Sequence, residues 1–298
     1  MQGMVRSMRD PRRRFMFGYT IENSHMELWF CDRTQVLVSS AIDWISVSLS
    51  QTDTTDMLIV ADDPVQDHLS IVRFFSALLF AEPFELGWDT TIAFRKDRNG
   101  DSQYDITIED AGGKRTVYRT LELVSYTRSE LEMGKATRIW RAVELRGGSP
   151  HGDPVILKDV WRHEELSREG DTLEAIRQSE SSPAIQRLLS RRLLTVLHHG
   201  DVIIRTEAGR NAHVDRTRLH TDNVVCFRRN QPLVDPRFAS PHAQREPHFI
   251  PPDGRRMLLG SRVHYRIVFK EVCTPLTNKP LDTVLTALAD TCEGTEPL

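Results

Sequence analysis

Lys158 closes the tetrapeptide Val155-Ile156-Leu157-Lys158, an apolar strand-like run that would carry a single ammonium group on a sheet. A lysine held in that way can neutralise nucleotide phosphates, provided that a carboxylate fixes its rotamer. The next element, SREGDTLEAI, offers two: Glu169 in the first turn of a polar helix and Glu174 further along it. Glu169 is the first choice, although helix rotation, which spacing does not set, decides between them. Taken alone, VILK also fits an ordinary charged residue on an edge strand.

Upstream of the lysine, a hairpin has part of the form that roofs a nucleotide. In the pattern G-x-G-x-x-G-x-V, Ile139 takes the valine place and Gly134 the second glycine, while Glu132 and Thr137 stand at the first and third. The same residues fit a plain β-hairpin, which would run on to Ala142. Downstream, Ile267 to Phe269 would line the back of the site. The backbone from Lys270 through Glu271 to Cys273 would meet the base edge. The candidate binding set is therefore Gly134, Ile139, Ala142, Lys158, Glu169, Glu271 and Cys273, with no catalytic and no metal residue assigned.

Two other groupings look chemical and are read otherwise. Asp97, Asn99 and Asp101 imitate the start of a calcium loop, but Ser102 occupies the glycine position and Ile108 the bidentate glutamate position. His198 and His199 sit at a turn entering a strand, where a structural role is expected rather than a metal.

These residues need a framework. The segments FMFGYTIEN and MELWFCDRTQVLV alternate apolar and polar residues around Asn23 and Ser24 and predict an antiparallel strand pair. Ile71, Val72, Phe75, Leu78 and Leu79 predict a helix from about Asp67, ended by Pro83. Strands are expected at Thr90–Arg95, Tyr104–Glu109 and Arg115–Ser125, in ATRIWRAVEL and DPVILKDVW on either side of a Gly-Gly turn, and in RLLTVLHHGDVIIRT and VHYRIVFKEV; LDTVLTALADTCEG suits a last helix. The basic run at residues 1–14 reads as a disordered, solvated arm, residues 45–66 as an insert, and residues 207–256 as a long loop.

Composition narrows the partners. With 298 residues, 39% of them hydrophobic, the chain can bury a sizeable core, and its net charge of -3 removes the general attraction a nucleic-acid binder uses. The four cysteines, Cys31, Cys226, Cys273 and Cys292, have no CxxC spacing and suggest neither a zinc site nor a disulfide framework. No apolar run is long enough for a membrane span or a leader, so an intracellular protein, cytoplasmic or nuclear, is expected.

In this order, WRAVEL, VILKDVW, REGDTLE, LTVLHHGDV, HYRIVFKEV and LTALADT resemble the fungal-type protein kinase family, and RRRFMFGYTIEN, ELWFCDR, FFSALLFA and ELGWDTTI resemble its N-terminal extension. The resemblance implies an α+β chain: an extension over 15–131 packed on a protein-kinase-like small lobe over 132–298, a twisted five-stranded antiparallel sheet with one main helix. It also implies ATP as a weakly held cofactor, magnesium in a full-length relative, and phosphoryl transfer to serine or threonine of a protein substrate. The family's catalytic and metal-binding loops would follow the ALAD helix. Asp215 in HVDR, Asp222 in LHTDN and Asp253-Gly254 precede the HYRIVFKEV strand and do not match them in order. The chain is expected to be either an inactive fragment, truncated before the large lobe, or a non-catalytic, pseudokinase-like interaction module.

Overall fold

The computed structural model describes residues 2–43, 64–126, 135–179, 182–206, 211–217, 261–273 and 279–293. Alternation in the first segment forms the expected hairpin, β1 (Met16–Glu22) against β2 (His25–Cys31), with Asn23 at φ 54° in the turn. The short β3 (Val36–Val38) and β4 (Ile42–Asp43) complete this small sheet on β2. Helix α2 (Pro64–Phe80) sets Phe74 against Phe17 and Phe75 against Tyr19, with ring centroids 6.4 and 5.4 Å apart. The insert expected over 45–66 lies outside the described residues as far as position 63; from Pro64 the chain is already helical.

A seven-stranded antiparallel sheet carries the rest of the fold. Its strands are β5 (Ile92–Lys96), β6 (Ser102–Glu109), β7 (Arg115–Tyr126), β8 (Arg138–Arg146), β9 (Ser149–His163), β10 (Val196–Asp201) and β13 (Arg262–Phe269), in the order β10-β13-β9-β8-β7-β6-β5. The architecture is α+β. The boundary expected at residues 131 and 132 does not divide this sheet, because β7 and β8 pair side by side from Val117–Leu145 to Tyr126–Arg138. The second half contributes four strands to this sheet, β8, β9, β10 and β13, where five were expected, and the first half contributes three, β5, β6 and β7.

Strand β9 explains why VILKDVW is nearly continuous in apolar residues: both of its faces are covered. Val155 and Leu157 join Ile106, Ile108, Tyr118, Trp140 and Ala142 in one core, while Ile156 and Val160 join Tyr265, Ile267 and Phe269 in another on the opposite face. The first core is enclosed because the sheet curls until β10 rests against β6. There Tyr118 Oη lies 2.5 Å from His198 Nδ1 and Arg205 is 2.7 Å from Glu109. Gly200 backs onto the Glu109 carbonyl so closely that a Cβ would lie 2.0 Å from its oxygen.

The arm expected to be solvated over residues 1–14 is instead part of the fold. Residues Gln2–Ser7 form helix α1, Met8 is buried, and Arg14 is buried with its guanidinium on Asp215, 2.8 Å away. Arg33 and Arg138 both donate to the Met8 carbonyl, clasping residues 8–14 between the small sheet and β8. Asp215 follows β12 (Ala212–Val214), which pairs with β11 (Ile203–Arg205), so the loop expected over 207–256 includes an ordered strand. The rest of that loop, 207–210 and 218–256, lies outside the described residues.

Arg14 and Asp215 belong to a buried ionic network. His264 donates from both ring nitrogens, to Asp215 at 2.9 Å and Asp159 at 3.0 Å, and its ring stacks on Trp161 at 4.5 Å. Arg266 reaches Asp159 at 2.8 Å, Asp89 at 2.6 Å and Thr91 at 2.7 Å. Burial opposes the imidazolium, but Asp159 and Asp215 outweigh it and hold the His264 pKa above its ordinary 6.5. Burial likewise opposes both carboxylates; His264 with Arg266, and Arg14 with His264, nevertheless keep Asp159 and Asp215 below their ordinary 3.8.

Protonated His264 therefore contributes stability that is complete below about pH 6.5, its unfolded value, and is lost as pH rises through the raised folded value. The carboxylates contribute above about pH 4 and lose that contribution as pH falls through their depressed values. Urea midpoints measured from pH 3 to 9 are expected to peak between about pH 4 and 6.5. A profile that keeps rising to pH 9 would contradict a charged His264.

Candidate functional site

Lys158 stands on the face of β9 that it shares with Ile156, directly opposite Ile139 on β8 and Ile267 on β13. Helix α3 (Glu169–Gln178) covers part of this face through Leu173. It brings Glu169 Oε2 to 2.6 Å from Lys158 Nζ. Glu174 points elsewhere and accepts a hydrogen bond from Gln178 at 2.9 Å, so the choice left open by spacing falls on Glu169. The pair is 26% and 41% exposed, which makes it worth at most about 1 kcal/mol to the fold. Its geometry leaves an ammonium group open to an anion on one side.

The first turn of α3 is fixed from the sheet. Its N-cap, Arg168, provides no side-chain oxygen for the exposed amides, and the Gly170 N–H donates instead to Tyr265 Oη on β13 at 2.9 Å. Arg168 and Arg162 share the Asp201 carboxylate on β10, at 2.8 and 3.1 Å. The His199 ring fills the space beside Gly170, where a Cβ would meet it at 2.4 Å, and packs edge-on to Tyr265. Both histidines of HHGD thus have structural contacts: burial, with Lys114 nearby, pushes the His198 pKa down.

The other predicted residues divide. Gly134 lies outside the described residues. Just after it, the Trp161 N–H donates to the Lys135 carbonyl at 2.8 Å, and Ala136 adopts φ 42°, a conformation costly for a residue with a Cβ. Ile139 faces the site. Ala142 does not: it is fully buried in the core on the opposite face, because strand alternation sends its side chain away from Lys158. Glu271 and Cys273 continue the chain past Phe269, which pairs with Ile156; the Glu271 carboxylate accepts from the Thr195 N–H at 2.7 Å, and Cys273 is an exposed thiol.

Ile156, Tyr265, Arg168 and Asp201 belong to the site's frame and were not singled out from sequence. Ile156 was within reach, since period two places it with Lys158; the polar residues carry no local signal. A cavity of about 170 Å³ lies elsewhere, between β6 and β10, lined by Thr91, Thr107, Arg115, Gly200, Arg205 and Arg266. Among the described residues no group of three or more His, Cys, Asp or Glu could hold a metal ion, and no helix is long and apolar enough to cross a membrane.

No curated protein and no solved structure matches the chain. The fungal protein kinase family matches residues 4–298, which takes in the small sheet, the curled sheet, Lys158 and Glu169 alike. The chain belongs to the fungal protein kinase family.

Proposed function

We propose that this chain supplies the nucleotide-holding part of an ATP-dependent protein phosphotransferase, with Lys158 as the phosphate contact and Glu169 as the group that fixes its rotamer. The Lys158–Glu169 ion pair, partly exposed at the edge of the α3-covered sheet face, carries this reading. The order of the elements supports it: β8 pairs with β7, β9 holds the lysine, α3 follows, and β13 leaves the sheet beside Ile156. Nucleotide phosphates fit one ammonium that has a carboxylate behind it and solvent in front. ATP would bring the transferable phosphoryl group, and magnesium its counter-charge; Lys158 would hold the phosphates and Ile139 and Ile156 would face the ring.

Asp215 is not placed to act as a transfer base. It is 1% exposed, with one oxygen on Arg14 and the other on His264, and burial closes it to a substrate hydroxyl. The purified chain is expected to bind ATP no tighter than about millimolar, roughly 4 kcal/mol. Lys158→Met should weaken that binding by at least about tenfold, the worth of a charge-assisted hydrogen bond. Fluorescent-nucleotide titration measures both, and a radiolabelled-ATP assay with a generic protein substrate should show no transfer above the Lys158→Met background. Equal affinity of the two chains would overturn the nucleotide role and favour an interaction module. Transfer that vanishes in Lys158→Met would overturn the absence of a base.

A further inference from the structure

We infer that Gly170, His199 and Tyr265 form a built-in anchor that sets the position of α3 and so keeps Glu169 on Lys158 without help from a partner. The inference rests on the proposed nucleotide site for its functional meaning, though not for its geometry. Glu169 is the first residue of α3, so whatever holds the first turn determines where its carboxylate points. Three groups from two neighbouring strands grip that turn. Tyr265 Oη satisfies the Gly170 amide that the N-cap leaves open. The His199 imidazole occupies the place of a side chain at position 170, and Asp201 draws in Arg168 one residue before Glu169.

The chemistry suits a fixed latch. Burial raises the Tyr265 phenol far above its ordinary value, so its oxygen accepts the Gly170 amide without placing a charge in the turn. Gly170 is buried although it lies in the first turn of an exposed polar helix, where glycine costs more than alanine. Close packing against His199 accounts for that cost: any Cβ would push the turn off the ring and carry Glu169 away from the lysine. These are positioning residues, since they act on Lys158 only through Glu169.

Zero-length carbodiimide cross-linking reads the contact directly. The reagent activates the Glu169 carboxylate, the Lys158 amine displaces the urea to form an amide, and peptide mass spectrometry quantifies the product. Gly170→Ala is expected to lower the Lys158–Glu169 amide at least about fivefold, and Tyr265→Phe at least about twofold, with circular dichroism unchanged. Adding His199→Ala to Gly170→Ala removes the ring that the new methyl would strike and should restore at least half of the parent yield. A merely structural defect would not be rescued by deleting a second packed side chain. If Gly170→Ala alone does not fold, recovery of folding and cross-link in the double variant is the expected result.

An unchanged yield in folded Gly170→Ala, or a double variant that folds with the yield still low, would overturn the anchor. A parent chain that cross-links but binds no nucleotide would sink the nucleotide reading and leave the anchor standing.

Discussion

Replacing Asp159 by alanine is expected to lower the unfolding free energy by about 3–5 kcal/mol, read as a fall in the urea midpoint with an unchanged slope. Asp159 is fully buried on β9, and one of its oxygens serves both His264 Nε2 at 3.0 Å and Arg266 Nε at 2.8 Å. Removing it strands positive charge where no water can replace the lost partner, and that desolvation cost exceeds the worth of the pair itself. The loss is a large share of the 5–15 kcal/mol typical of a domain. Glu144→Ala is the control: its partner Arg146 is 63% exposed, and the change should cost less than about 1 kcal/mol. Equal effects at the two positions would show that the network does not hold the fold.

Gly200→Ala is expected to cost about 3 kcal/mol or more, because the added methyl has no flexible side chain to displace. It would meet the Glu109 backbone carbonyl at 2.0 Å, and the only relief is to move β10 away from β6. That movement opens the core around Ile106, Ile108 and Trp140 and breaks the Arg205–Glu109 and Tyr118–His198 contacts together. Thermal unfolding with tryptophan emission should report both effects, a lower midpoint and a red-shifted native spectrum. A stable Gly200→Ala chain with unaltered emission would mean that the curl is not needed to seal the core.

What could be read from sequence follows the range of the interaction. Strands β1, β2, β6 to β9 and β13 show in alternation and β-branched content, and the order lysine strand, then helix with an acid in its first turn, exposes Lys158 and Glu169. Helix α4 (Pro183–Arg192) was missed although a signal was present: Ser182 caps it, accepting from the Ile185 N–H, and Pro183 opens it. The face of Ala142 was legible too: it stands three residues after Ile139 in an unbroken stretch of β8, and period two puts it on the opposite side of the sheet. The buried network had no local signal at all. Arg14 stands in a run of three arginines that resembles a solvated tail, and its partner lies in a polar stretch that resembles a loop. Charge composition describes the average surface and says nothing of a pair brought together from distant parts of the chain.

The clasp between Arg14 and Asp215 also sets an order of events during synthesis. Its two halves are 201 residues apart, so the first residues to leave the ribosome cannot reach their final partner until most of the chain has been made. At about 5–20 residues per second that interval is roughly 10–40 s. During this time residues 8–14 and the hairpin of β1 and β2 wait with the basic segment unneutralised. The small sheet can form early and Arg138 can hold Met8 once β8 exists, but the Arg14–Asp215 part of the attachment is complete only after β13 has delivered His264.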